Sequence, residues 1–247
     1  MGLSLTVLGC AATFPRPGNP CSGYLVRTDQ TAVWVDCGPG TFAALQEHRE
    51  PTDLDALWVS HLHPDHCADL LSVFNWLANT PDLARLPVYG PPGWAGRVAA
   101  MLPAANASHL VHQAFDVNEL HDHHSVQIGD VEMQSRAVEH GVPSFGLRVE
   151  HNGKALAYSG DTGPCPALIQ VARDADLLIC ETGAIEPQRA HCTPSEAGRA
   201  AANARSRRLM LTHLAHGLNE TRAKADAVQV AGCPVEIAQP GMHVELI

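Results

Sequence analysis

The chain has 247 residues, 45% of them hydrophobic, enough to build a sizeable core in one large domain or two small ones. Its formal charge of −10 excludes a broad surface for nucleic acid or anionic membrane, since such surfaces need clustered Lys and Arg. Eight scattered cysteines without a C-x-x-C pair indicate reduced, mostly buried thiols of a cytoplasmic protein, not a disulfide framework. No apolar run nears the roughly 18–20 residues that span a bilayer.

Leu3 to Leu8 reads as a first strand. Met1 to Thr6 matches a loose myristoylation pattern, and Val7 to Cys10 resembles a lipoprotein cleavage box. The second lacks a basic n-region and a long apolar stretch, so a plain strand is preferred. Thr13 to Pro20 is a loop by its Pro and Gly content. Gly23 to Thr28 and Thr31 to Asp36 form a hairpin around Asp29-Gln30, ending in Asp36-Cys37-Gly38-Pro39-Gly40, with a helix from about Thr41.

Next comes Ala56 to Val59, a short buried strand, and then Ser60-His61-Leu62-His63-Pro64-Asp65-His66. Four ligand-type side chains within six residues, on a strand-to-helix turn, suit zinc and related ions, which take imidazole and carboxylate donors. A helix follows Cys67 through Leu70, Leu71, Phe74 and Leu77. Leu86 to Gly90 reads as a strand and Trp94 to Leu102 as a helix, while Ala105 to Gly129 carries little periodic signal before a short strand at Val126 to Ile128. Its His121-Asp122-His123-His124 cluster reads as a solvated loop that could border the substrate opening.

Val131 to Val138 alternates and leads to His140. Phe145 to Glu150 and Ala155 to Tyr158 flank Asn152-Gly153, a hairpin signal, and the second strand runs into Asp161. A helix over Pro166 to Arg173 precedes strand Leu177 to Cys180 and then Glu181. Thr193-Pro194-Ser195-Glu196 is a capping box opening a helix through Ala204. Strand Arg208 to Leu211 ends in Thr212-His213; a helix over Thr221 to Val230 and strands near Val235 to Ala238 and His243 to Leu246 close the chain. No linker or repeat divides it, which predicts one α+β domain over residues 1–247 with metal-type residues at strand ends.

Those strand-end residues resemble the five signature motifs of the metallo-β-lactamase superfamily: Asp36, then His61-x-His63-x-Asp65-His66, then His140, Asp161 and His213. The resemblance implies an αββα four-layer sandwich and two divalent ions, Zn²⁺ first among the candidates, with Mn²⁺ or Fe²⁺ also suited to the donors. His61, His63 and His140 would bind one ion and Asp65, His66 and His213 the other, with Asp161 bridging and Asp36 orienting a ligand from behind. Two such ions can share a hydroxide and clamp an anionic transition state.

Cys180-Glu181-Thr182 and His191-x-Thr193-x-x-Glu196 resemble the Glu and His of the ribonuclease Z-like branch, where the histidine assists phosphoester cleavage and the glutamate orients it. Asp65, Glu181 and His191 are therefore the expected catalytic residues. The tRNA-processing members carry an inserted arm between the third and fourth motifs; here only a short hairpin separates His140 from Asp161. The remaining pieces, including Ser144-Phe145-Gly146-Leu147-Arg148 and Tyr158-Ser159-Gly160-Asp161-Thr162-Gly163, are most similar to the atypical class II cyclic-nucleotide phosphodiesterases. The resemblance thus implies a small cyclic phosphodiester such as cAMP as substrate, with no tRNA, DNA or membrane partner, and it admits a homodimer. The alternative is a carboxylic ester, lactone or thioester hydrolase on the same metal ligands. One departure is Leu214-Ala215-His216-Gly217, where those relatives commonly carry prolines, so specificity is open there.

Overall fold

A computed structural model describes residues 2–246. Strands β1 (Leu3–Gly9), β2 (Gly23–Arg27), β3 (Ala32–Val35), β4 (Ala56–Trp58), β5 (Leu86–Gly90) and β6 (Phe115–Glu119) build one sheet. Strands β7 (His124–Ile128), β8 (Val131–Ala137), β9 (Phe145–His151), β10 (Lys154–Tyr158), β11 (Leu177–Thr182), β12 (Leu209–Leu214) and β13 (Val235–Ile237) build the other. The last strand, β14 (His243–Leu246), returns to the first sheet and pairs antiparallel with β1.

Each sheet changes character halfway across. Strands β1 to β3 and β7 to β10 pair antiparallel, whereas β3 to β6 and β10 to β13 pair parallel. The sequence explains the division. Strand β11 (LLICET) is buried along its whole length, as a parallel strand covered on both faces must be. Strand β8 (VEMQSRA) alternates buried and partly exposed residues and so covers the core with one face only.

Parallel pairing demands crossovers, and the helices supply them. Helices α1 (Thr41–Gln46), α2 (Pro64–Cys67), α3 (Leu70–Asn79), α4 (Trp94–Met101) and α5 (Ala107–Ala114) connect strands of the first sheet. Helices α6 (Pro166–Val171), α7 (Pro194–Ala204) and α8 (Glu220–Ala231) do so for the second. Three apolar cores follow. Val7, Tyr24, Val35 and Trp58 meet Met133, Leu147, Tyr158 and Ile179 between the sheets. Trp34, Leu57 and Val59 pack with Leu70, Val73, Phe74 and Trp94 outside one sheet, and Ala157, Leu178 and Leu211 with Leu168, Ala197, Ala201 and Ala227 outside the other. The layers are therefore helix, sheet, sheet, helix, as the resemblance implies.

The parallel strands point their carboxyl ends at one edge of the sandwich, where ligands of such sheets usually lie. There the sheets are stitched together: the Phe145 N–H donates to the Ser60 carbonyl at 3.0 Å, His61 bridges Ser144, and Ala11 bridges Leu214.

The stretch from Ala105 to Gly129 differs from its sequence reading. It folds into α5 and β6, and His124 belongs to strand β7 while His121 and His123 stay exposed. Helix α5 begins without a side-chain cap bond, and β6 buries Phe115 but exposes Asp116 and Glu119 as an edge strand, so neither announces itself in composition. Within the His-rich motif, Pro64 opens a separate helical turn, α2, that carries Asp65 and His66 before α3 starts.

Candidate metal centre

Seven residues converge at this edge from turns and strand ends, Asp65 and His66 sharing one helical turn. His61 follows β4, and His63 ends the turn before α2, which lifts Asp65 and His66 inward. His140 follows β8, Asp161 follows β10, and His213 lies in the last turn of β12. Donor atoms of His61, His63, His140 and Asp161 lie within 4.8 Å of one another, and so do those of Asp65, His66 and His213. Asp161 faces both groups. Its Oδ2 is 3.7 Å from His61 Nε2, whereas its Oδ1 is 3.3 Å from His66 Nε2 and 3.6 Å from His213 Nδ1.

The outward nitrogens of these rings are held from behind, as metal-binding imidazoles usually are. His66 Nδ1 donates to Asp36 Oδ2 at 2.7 Å, and His140 Nδ1 to the Ala190 carbonyl at 2.9 Å. His61 Nδ1 and His213 Nδ1 each meet a serine hydroxyl, Ser60 and Ser22, at 3.1 Å. Asp36 is the hub. Wholly buried, it also accepts from the Ser60 N–H (2.7 Å), the Ser60 hydroxyl (2.8 Å) and the Tyr158 hydroxyl (2.7 Å). Asp36 and His213 both adopt left-handed backbone (φ 57° and 50°), a conformation costly for residues with a Cβ. The strain sits where side chains must leave a strand end towards a common centre.

Among the described residues, nothing on the inner side completes these bonds. His61 Nε2, His66 Nε2 and Asp161 Oδ1 are buried without a hydrogen-bond partner, which is expensive for polar atoms. His63 Nδ1 and His140 Nε2 point at each other across 3.1 Å; two nitrogens on one tetrahedral Zn²⁺ sit about 3.4 Å apart. Burial and the neighbouring His66 hold the His61 imidazole well below its ordinary pKa, in the neutral form a metal requires. His66 goes the other way: burial opposes its charge, but the Asp161 and Asp36 carboxylates raise it well above the ordinary range. A proton there balances buried negative charge that a divalent cation would balance instead. The donors therefore fit a divalent metal site.

A second pair flanks the centre. Glu181, wholly buried at the end of β11, accepts from His191 Nδ1 at 2.9 Å and from the Thr162 N–H at 3.0 Å. His191 Nδ1 also lies 3.9 Å from Asp161 Oδ2. Burial pushes the Glu181 carboxyl up to about 7. For His191, burial opposes the charge, but the Glu181 hydrogen bond and carboxylate win and raise its pKa above the ordinary value. The capping box is present, with Glu196 N–H donating to Thr193 Oγ1 at 3.3 Å and Thr193 N–H to Glu196 Oε2 at 2.8 Å, fixing α7 directly after His191.

All ten residues singled out by sequence thus share one edge. Sequence reasoning assigned no role to Ser22, Ser60, Tyr158 or the Ala190 carbonyl. Ser60 and Tyr158 adjoin motif residues and could have been suspected; a backbone carbonyl leaves no sequence signal. The His121–His124 group does not join. His121 and His124 stack at 4.6 Å, His123 contacts Arg136, and among the described residues none of the three enters a donor cluster.

Comparison with known proteins agrees with this geometry. Residues 31–214 match the model of the beta-lactamase superfamily domain. An uncharacterized protein of Mycobacterium leprae is 39% identical over 219 residues, covering 85% of this chain and 77% of its own. The Mycolicibacterium paratuberculosis ribonuclease Z is 32% identical over 240 residues, covering 85% of each. Among solved structures, the metallo-beta-lactamase fold protein YhfI from Bacillus subtilis superposes with a TM-score of 0.89 at 25% identity, covering 100% of both chains. The chain belongs to the metallo-β-lactamase superfamily, in its ribonuclease Z-like branch, and so to a family of metal-dependent hydrolases.

Proposed function

We propose that this member of the ribonuclease Z-like branch is a phosphodiesterase that cleaves a small cyclic nucleotide, such as cAMP, or a related cyclic phosphodiester. His61, His63 and His140 would hold one divalent ion and Asp65, His66 and His213 the other, with Asp161 between them and Zn²⁺ the favoured metal. When bound, the ions supply a water of lowered pKa and electrophilic stabilisation of the phosphate oxygens. The chain's own residues do the rest. Asp36 and Ser60 fix the tautomers of His66 and His61, and Asp65, whose Oδ2 accepts from the Thr13 N–H at 2.9 Å, is held in one orientation.

The observation that carries the reading is the Glu181–His191 pair. Metal ligands alone serve esters, lactones and phosphoesters equally well. Any leaving alkoxide needs a proton, and His191, whose pKa Glu181 raises, is the candidate donor beside Asp161; its likeness to the Glu and His of the ribonuclease Z-like branch favours a phosphodiester. The short β9–β10 hairpin between His140 and Asp161 and the −10 charge support a small substrate over tRNA. Among the described residues no helix is long and apolar enough to cross a membrane; the scattered thiols, unpaired in the structure, support a cytoplasmic site of action.

The test is hydrolysis of 3′,5′-cyclic AMP by metal-replete protein, with products separated by chromatography. Chelator-sensitive release of AMP is the expected result. Turnover of thioesters or lactones with no turnover of any cyclic phosphodiester would overturn the proposal.

A further inference from the structure

The loop between β1 and β2 carries two features that the chemistry above leaves unused, an exposed ring and the groups that brace it. It is anchored to the centre: the Thr13 N–H reaches Asp65 Oδ2 at 2.9 Å, and Ala11 bridges Leu214, the start of the Leu214-Ala215-His216-Gly217 turn. The next residue, Phe14, is 49% exposed, although a ring that size is usually covered in a core this well packed. Phe14 is also braced. The Arg16 guanidinium lies 5.8 Å from its ring centroid, the His216 ring lies 5.7 Å away, and Arg16 Nη2 meets His216 Nδ1 at 3.4 Å. Of the other exposed large apolar side chains, Met101 and Val228 sit on α4 and α8, and Ile185 lies on the loop between Glu181 and His191 without an aromatic ring to stack on a base.

An exposed aromatic ring with a cation over it and a tilted imidazole beside it, one residue from a group hydrogen-bonded to a candidate metal ligand, is an arrangement that can receive a nucleobase. Every base has a π-face, so stacking on an aromatic is strong and tolerant of base identity. A guanidinium beside the ring adds cation–π attraction and offers donors to the acceptor atoms of a base edge.

We infer that Phe14, braced by Arg16 and His216, is the nucleobase platform of this site, so that the substrate class is a nucleotide rather than a base-free sugar phosphate. The inference rests on the phosphodiesterase reading and deepens it. It also gives a role to the 214–217 turn: His216 closes the brace around Phe14.

The test compares the metal-loaded full chain on 3′,5′-cyclic AMP and on the cyclic phosphate of methyl riboside, which lacks the base. Binding of 5′-AMP and ribose 5-phosphate is measured alongside by calorimetry. Phe14→Ala is expected to raise KM for cyclic AMP about tenfold, with KM for the base-free compound held within about twofold. Phe14→Trp should restore the wild-type preference, and 5′-AMP but not ribose 5-phosphate should bind more weakly to Phe14→Ala. Equal KM for the two substrates in the wild type would overturn the platform and leave the phosphodiesterase reading standing. Equal losses on both substrates in Phe14→Ala would mark a merely structural loop and overturn it as well. Hydrolysis of neither substrate by metal-loaded protein, with 5′-AMP bound no more tightly than ribose 5-phosphate, would overturn the platform.

Discussion

At the scale of single residues, the site separates groups that would hold metal from a group that would move a proton. His191 hydrogen-bonds Glu181 and lies 3.9 Å from Asp161 Oδ2, so these three form a donor group beside the two that would hold metal. His191→Ala is therefore expected to lower kcat on a phosphodiester by about 10²–10⁴-fold, as loss of a general acid does, with metal content unchanged by plasma emission analysis. The pH dependence has a defined sign. The acid counts only while protonated, and Glu181 raises the affinity of His191 for its proton. Activity should fall as pH rises through that elevated pKa. In Glu181→Gln the carboxylate is gone, so the same limb of a kcat/KM profile should move to lower pH. Asp36 acts from behind: with four hydrogen bonds on its carboxylate, Asp36→Asn should weaken metal affinity about 10–100-fold in a competition titration. Most of this was legible in sequence because ligand residues must be chemically special and lie at strand ends. Ser60 could have been suspected beside His61, but Ser22 could not, because it lies 191 residues from His213 in the chain.

At the scale of elements, close backbone approach decides what the loops can be. A Cβ on Gly183 would lie 2.7 Å from His191 Nδ1 and 3.2 Å from Glu181 Oε2, so this turn exists in its present form only without a side chain. Gly183→Ala should therefore disturb the Glu181–His191 pair, reducing phosphodiester turnover while the protein stays folded by circular dichroism and loaded with metal. A Cβ on Gly38 would fall 2.0 Å from the Asp65 carbonyl, so the loop after β3 supports α2 from below by direct contact. Sequence showed Gly38 only as a turn former and gave Gly183 no role. The capping box before α7 and the Asn152-Gly153 hairpin were legible because their chemistry is local. Helix α5 and edge strand β6 were not, since packing against the outer core at Val111 and Phe115, rather than periodicity or caps, makes them form.

At the scale of the molecule, two sheets meet at one edge and a cluster of buried carboxylates and imidazoles closes the joint. The order αββα followed from matching five motifs to strand ends; the exact stitching, His61 to Ser144 and Ala11 to Leu214, did not, because isolated bridges leave no pattern in sequence. Metal bound there belongs to the folded state alone, so chelation should lower Tm. At a metal concentration a hundred times Kd the ion contributes about 2.7 kcal/mol of stability. Affinity should weaken as pH falls, because His66, with its raised pKa, takes up a proton on the nitrogen that metal needs. Charge acts at this scale too: with a net −10, attraction for an anionic substrate would have to come from local positive charge at the site rather than from the chain as a whole.

The most direct test of the central claim is a joint measurement of metal content and cyclic AMP turnover in the wild type, His63→Ala and His191→Ala. The account predicts chelator-sensitive turnover and close to two ions per chain in the wild type. It predicts loss of both metal and turnover in His63→Ala, and loss of turnover alone in His191→Ala. Equal loss of metal from both variants would contradict it.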